Sequence, residues 1–187
     1  MKRSNLGRLL AGALVLTGAA GAQAQEASSP ETGLLPAGHR LTLYSRAGGV
    51  IYLSDARTAG GLGGGVGVRD TIQDRFILQA DMNYLMMLGN AGALRLGAGI
   101  QRSGTYTPAV LVTLTTVVGK QLTFLTPEHP TPVRAPALAL GVSVAPLRFT
   151  QDGLQFSLLE FGVGVGTELP GLGLAWNLGL VEVGTSF

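Results

Sequence analysis

The sequence predicts an all-β fold, a single eight-stranded antiparallel up-and-down β-barrel, and three observations carry that prediction. Apolar residues recur at every second position through eight successive segments, which is the strand period. Glycine supplies 29 of 187 residues, about 16% against an average near 7%, and much of it falls on the face opposite the apolar one. The chain is 46% hydrophobic and only 13% charged. Yet beyond its first 24 residues it has no uninterrupted apolar run of about 18, the length that marks a spanning helix.

Residues 1–24 read as a cleaved export signal. Lys2, Arg3 and Arg8 form a basic start, Leu9–Leu16 is a short apolar stretch, and Ala22-Gln23-Ala24 satisfies the small-x-small cleavage rule. The apolar stretch is too short to cross a bilayer, which takes about 20 residues. Cleavage after Ala24 leaves 187 − 24 = 163 residues beginning at Gln25. The signal removes three basic residues, so 13 − 3 = 10 basic residues stand against 11 acidic ones, a net of −1. The pI near 9.3 therefore belongs to the precursor and is no nucleic-acid footprint. There is no cysteine, which excludes disulfides and lipidation on an N-terminal cysteine. Residues 25–39 (QEASSPETGLLPAGH) are polar and broken by Pro and Gly, and read as a flexible leader. The barrel domain is expected over 40–187.

The eight segments follow in order. The first, Arg40–Leu53, sets Leu41, Leu43, Ser45 and Ala47 against Thr42, Tyr44 and Arg46, and Gly48-Gly49 suggests a bulge. The second, Gly60–Arg69, sets Leu62, Gly64, Val66 and Val68 against four glycines. The third, Arg75–Leu88, sets Phe76, Leu78, Ala80, Met82, Tyr84 and Met86 against Ile77, Gln79, Asp81, Asn83 and Leu85. The fourth, Gly92–Arg102, sets Leu94, Leu96, Ala98 and Ile100 against Arg95, Gly97, Gly99 and Gln101. The fifth, about Tyr106–Val118, and the sixth, Ala135–Ala145, alternate Val and Leu with Thr, Ala, Gly and Ser. The seventh, Leu154–Thr167, sets Leu159, Phe161, Val163 and Val165 against Glu160 and three glycines. The eighth, Gly173–Phe187, places Leu174, Trp176, Leu178 and Leu180 on one face and then switches parity to Val181, Val183 and Phe187. A bulge near Leu180 accounts for the switch and keeps Glu182 off the apolar face.

Gly89-Asn90-Ala91, Ser103-Gly104-Thr105 and 70–74 read as short turns. Residues 119–134 form one long Pro-rich loop, and 146–153 and 168–172 close the remaining connections. A turn centred on Asn90 sets Met82 beside Ala98, Tyr84 beside Leu96, Asp81 beside Gly99 and Leu85 beside Arg95, with the two faces in agreement.

The large side chains lie on one face of nearly every segment, and Gly, Ala or polar residues lie on the other. An eight-stranded barrel has an interior just wide enough to be filled by side chains, which suits the small face. The large face then points outward, as in a transmembrane barrel. Segments of about 10 to 14 residues also match a tilted membrane-crossing strand. In a bilayer, closure of the barrel gives every backbone N–H and C=O a partner.

The export signal, the even strand count and the terminal aromatic of VEVGTSF together resemble small eight-stranded bacterial outer-membrane β-barrel proteins. The resemblance covers roughly 40–187 and is architectural. It implies an outer-membrane location, a lipid bilayer as surroundings, recognition of Phe187 by the barrel-assembly machinery, and a structural or narrow-pore role in the cell envelope without catalysis. It also implies outer loops at 54–59, 89–91, 119–134 and 168–172.

The candidate site is a polar network in the lumen. Arg46, Asp81, Arg95 and Glu160 fall on the inward face, where unpaired charge is costly, so they are expected to pair. Such a network either plugs the lumen or gates a narrow pore. Tyr44, Tyr52, Tyr84, Tyr106, Trp176 and Phe187 are the aromatics available for an interfacial belt, with Tyr44 inward by alternation. The stretch GGLGGGVGV (60–68) lacks the spacing, Lys and following helix of a phosphate loop. Two histidines, His39 and His129, are too few for a metal centre. No cofactor, metal or nucleic-acid partner is expected, and no particular small ligand is indicated. Two other readings are open: a secreted soluble β-barrel that encloses an apolar ligand, and an outer-membrane hydrolase built on Ser143 or Ser157.

Overall fold

A computed structural model describes residues 37–55, 58–87, 90–119, 136–167 and 172–187. The export signal, leader residues 25–36, nearly all of the 119–134 loop and His129 lie outside the described residues.

Every regular element among the described residues is a β-strand: β1 (His39–Leu53), β2 (Thr58–Ile72), β3 (Phe76–Met87), β4 (Ala91–Gln101), β5 (Ala109–Gly119), β6 (Ala137–Ala145), β7 (Leu147–Gln151), β8 (Leu154–Thr167) and β9 (Leu172–Ser186). β1 to β6 pair antiparallel in chain order, as do β7, β8 and β9, while β1 pairs with β9 and β6 pairs with β8. The ring is thereby closed. β6 and β7 both run along β8, from Ala139↔Gly166 to Val144↔Phe161 and then from Leu147↔Leu158 to Gln151↔Leu154. They are two halves of one barrel strand interrupted at Pro146, which has no N–H for the ladder. The barrel therefore has eight strands.

Residues 146–153 are thus mostly strand, where the sequence suggested a loop. Pro146 looked like the start of a turn, but the turn lies at Asp152-Gly153, with φ of 50° and 77°. Positive φ at both central residues is the geometry of a two-residue hairpin whose twist suits its strands.

The β3–β4 register also differs from expectation. Asp81 faces Arg95, Met82 faces Leu94 and Leu85 faces Ala91, where the turn-based reading had set Leu85 beside Arg95. The slide is 85 − 81 = 4 residues. An even slide leaves each side chain on its face, so alternation could not detect it.

The faces themselves are inside-out relative to a soluble barrel. Leu96, Val142, Val163 and Leu140 point outward and are 46%, 47%, 54% and 63% exposed. The interior holds Arg46, Arg69, Arg95, Arg148, Asp81, Glu160 and Glu182, all buried. A soluble barrel enclosing an apolar ligand would need the reverse arrangement.

One level of the wall departs from strict alternation on three adjacent strands. The inward residues step from Ala145 to Arg148, from Ser157 to Glu160 and from Gly179 to Glu182, leaving two consecutive residues outside the core each time. On β9 the break coincides with a register shift against β1: Ala47 pairs Val181 and Gly48 pairs Gly179, which skips Leu180. This is the bulge that the parity switch near Leu180 anticipated. Gly48-Gly49 is itself regular against β2, so the extra residue lies on β9 rather than on β1. On β8 the break falls at Leu159, whose φ of 57° costs a non-glycine residue about 1–2 kcal/mol. The three breaks deliver Arg148, Glu160 and Glu182 to the interior.

Because β1 keeps its parity through Gly48-Gly49, Tyr52 also points inward and is fully buried, which removes it from the set of belt candidates. A Cβ at Gly173 or Gly166 would collide with the Tyr52 ring. Glycine at these positions therefore makes room for that ring. Gly67 stands in the same relation to Tyr44. Tyr84, Tyr106, Trp176 and Phe187 face outward.

Candidate functional site

The charged residues of the interior form two linked clusters. Asp81, on β3, is the centre of the first. Its Oδ1 accepts from Arg46 Nη1 at 3.2 Å and from Asn83 Nδ2 at 2.8 Å. Its Oδ2 accepts from Tyr44 Oη at 3.1 Å and from Arg95 Nε at 3.0 Å. Arg95 also reaches across the lumen to Glu160 on β8, with Nη1 on Oε1 and Nη2 on Oε2 at 3.4 Å. Arg46, Asp81, Arg95 and Glu160, the four residues singled out by alternation, thus make one connected chain of ion pairs.

The second cluster is built on Arg69 of β2. Its Nη1 and Nη2 donate to Glu182 Oε1 and Oε2 at 2.7 and 3.0 Å, a bidentate pair. Nε donates to Gln79 at 3.1 Å, and Nη1 also donates to Gln155 at 2.7 Å. The guanidinium carbon lies 4.6 Å from the centroid of the Tyr44 ring, within cation–π range. Tyr44 therefore touches both clusters, by its hydroxyl and by its ring face.

Sequence reasoning missed Arg69 and Arg148. Arg69 ended the second segment as it was drawn, although its odd number already put it on the glycine face. Arg148 sat in residues read as a loop. It is fully buried and opposite Ser157 in the ladder, which is in turn opposite Glu182. Its Nη2 lies 3.9 Å from Glu160 Oε2.

A cavity of about 10 Å³ lined by Arg46, Ser157, Glu160, Gly179, Val181 and Glu182 is at the lower limit for one water molecule. Ser143 and Ser157 both face inward. Ser143 Oγ has no hydrogen-bond partner among the described residues. His39 is engaged outside the two clusters, with Nδ1 2.7 Å from Asp70 Oδ2. Among the described residues no group of three or more His, Asp or Glu side chains could hold a metal ion.

No protein-family model matches the chain, and no curated protein sequence matches it. Solved structures do. Neisserial surface protein A superposes with a TM-score of 0.51 at 10% identity, over 80% of this chain and 97% of that one. Ail, the attachment invasion locus protein of Yersinia pestis, solved in complex with a heparin analogue, superposes with a TM-score of 0.44 at 10% identity, over 80% and 99%. The first of these likenesses agrees with the closed eight-stranded antiparallel barrel described above, and at that identity it concerns the fold alone.

Proposed function

We propose that this chain is an integral outer-membrane barrel with a structural role in the cell envelope, its lumen sealed by the Arg46–Asp81–Arg95–Glu160 and Arg69–Glu182 pairs. One observation carries the reading: guanidiniums and carboxylates are buried at the axis while the Leu, Val, Phe, Met and Trp side chains cover the outer wall. Water gives no reason to expose such a surface, whereas hydrocarbon does. Export through a signal cleaved after Ala24, a leader ending before β1, and recognition of Phe187 by the barrel-assembly machinery belong to the same proposal. The role is non-catalytic. Membrane fractionation with heat-modifiable gel mobility tests it. Folded protein recovered from the soluble fraction without detergent would overturn it.

The narrow-pore reading is the weaker one, because the cavity lined by Arg46, Glu160 and Glu182 has a volume of about 10 Å³. Planar-bilayer recording separates the two readings. A sealed lumen gives no steady single-channel current. A charged gate gives events that change in Glu160→Ala and Arg46→Ala.

A further inference from the structure

The outer wall carries an open groove of about 590 Å³. One side of it is the row Asp70, Leu78, Ala98 and Val112, each opposite the next across β2 to β5. The other side is the adjacent row Val68, Ala80, Leu96 and Leu114. The two alanines lower the wall where the rows cross β3 and β4. Three strand spacings of about 4.8 Å make these rows about 14 Å long, close to one leaflet of a hydrocarbon core about 30 Å thick. Asp70 lies 73 − 70 = 3 residues before Gln73 of the β2–β3 turn. Leu140, opposite Leu114 at the far end, lies 152 − 140 = 12 residues before Asp152 of the next turn on that side. The groove therefore starts near the rim at Asp70 and runs toward mid-wall. Its rim end is charged. By alternation with exposed Leu43 and Val68, His39 and Asp70 lie on the outward face. They are the only acidic, basic or histidine side chains on that face among the described strand residues. An ionisable group facing lipid is costly and points to a function. His39 Nδ1 holds Asp70 Oδ2 at 2.7 Å, while Oδ1 has no hydrogen-bond partner and the Asp70 side chain is 27% exposed.

We infer that this groove holds one glycerophospholipid with a primary ammonium headgroup, an acyl chain lying between the two rows and the ammonium against the Asp70 carboxylate. The inference rests on the membrane residence proposed above and adds which lipid this wall selects. The aliphatic rows suit a hydrocarbon chain. An ammonium brings N–H donors and the opposite charge to a carboxylate that His39 leaves half satisfied. A trimethylated headgroup carries the charge without an N–H, and a glycerol headgroup carries hydroxyls without the charge. Arg75, exposed in the same turn, offers a cation to the phosphate. A second copy of this chain is a poorer occupant. Among the described strand residues its outward wall brings no cation to Asp70 except His39, which is already paired.

The full exported chain, folded in detergent, supplies the test. Native mass spectrometry measures how much phosphatidylethanolamine, phosphatidylcholine and phosphatidylglycerol of the same acyl chains stays bound at equal concentrations. One phosphatidylethanolamine per chain is expected to be held about tenfold more tightly than the other two, the worth of one hydrogen bond to a charged group. Asp70→Asn is expected to remove that preference while the three lipids still bind. Ala98→Leu, which fills the groove from its floor, is expected to weaken all three. Equal retention of the three lipids by the parent chain overturns the inference without recourse to any variant. So does a preference unchanged in Asp70→Asn, or a dimer that added lipid does not dissociate. A chain that fractionates with the membrane yet shows no preference loses this inference alone. Recovery in the soluble fraction would bring down the membrane reading itself.

Discussion

Asp81 and Arg95 stand directly opposite each other on β3 and β4, with Arg95 Nε donating to Asp81 Oδ2 at 3.0 Å. Opposite charges facing each other on one side of a ladder stabilise that register, and a charge facing an apolar group does not. A hairpin turned at Asn90 would have placed Leu85 beside Arg95 and left Asp81 facing Gly99. The pair thus distinguishes between registers that alternation treats as equal, and it seats Asp81 where Arg46, Tyr44 and Asn83 also reach it.

Removing Asp81 should therefore be expensive. Asp81→Ala strands Arg46 and part of the Arg95 fork in the interior, and a loss of about 3–5 kcal/mol is expected. Urea unfolding of the protein in lipid or micelles, read by heat-modifiable mobility, measures it. In a double-mutant cycle with Arg95→Ala the losses should be clearly less than additive. Additive losses would mean that the two side chains act independently.

Leu140→Arg probes the outer wall. Leu140 lies near the middle of β6 and is 63% exposed. A cation there meets hydrocarbon, at an expected cost of about 2–4 kcal/mol in a bilayer. Unchanged stability in lipid vesicles would argue that this face meets water.

Gly173→Ala tests the packing of Tyr52. The three nearest neighbours of the added methyl are atoms of the Tyr52 side chain, and overpacking of this kind costs about 1–3 kcal/mol. Tyr52→Val vacates that space, so Gly173→Ala should cost much less in the Tyr52→Val background. The same cost in both backgrounds would rule out the ring as the cause.

Deletion of Leu180 tests the bulge. Without it, residues 172–179 and 181–187 cannot both keep their faces against β1, because the register shift that reconciles them is lost. The deleted chain is expected to fail to reach the heat-modifiable form, while Leu180→Ala still does so. A deletion variant that folds as well as the parent would show that the bulge is dispensable.

Phe187→Ala separates assembly from stability. The side chain is 69% exposed, while the backbone N–H donates to Leu41 O at 2.8 Å, a bond that the substitution keeps. Little change is expected in the unfolding midpoint in vitro, with a marked fall in the amount of folded barrel in the envelope of living cells. Equal cellular levels would remove Phe187 as an assembly signal.

Alternation along the chain determined the strand type, the outward aliphatic face and the inward positions of Arg46, Asp81, Arg95 and Glu160, because a period of two is set by residues next to one another. The parity switch at Leu180 was legible for the same reason. The register of Asp81 against Arg95, the continuation of β6 past Pro146, the burial of Tyr52 and the closure of Arg69 onto Glu182, 113 residues away, were decided only in the tertiary structure. Sliding by an even number of residues costs alternation nothing, and β2 meets β9 across the lumen only once β1 has paired with both. Local pattern fixes which way a side chain points, and closure of the ring fixes what it meets there.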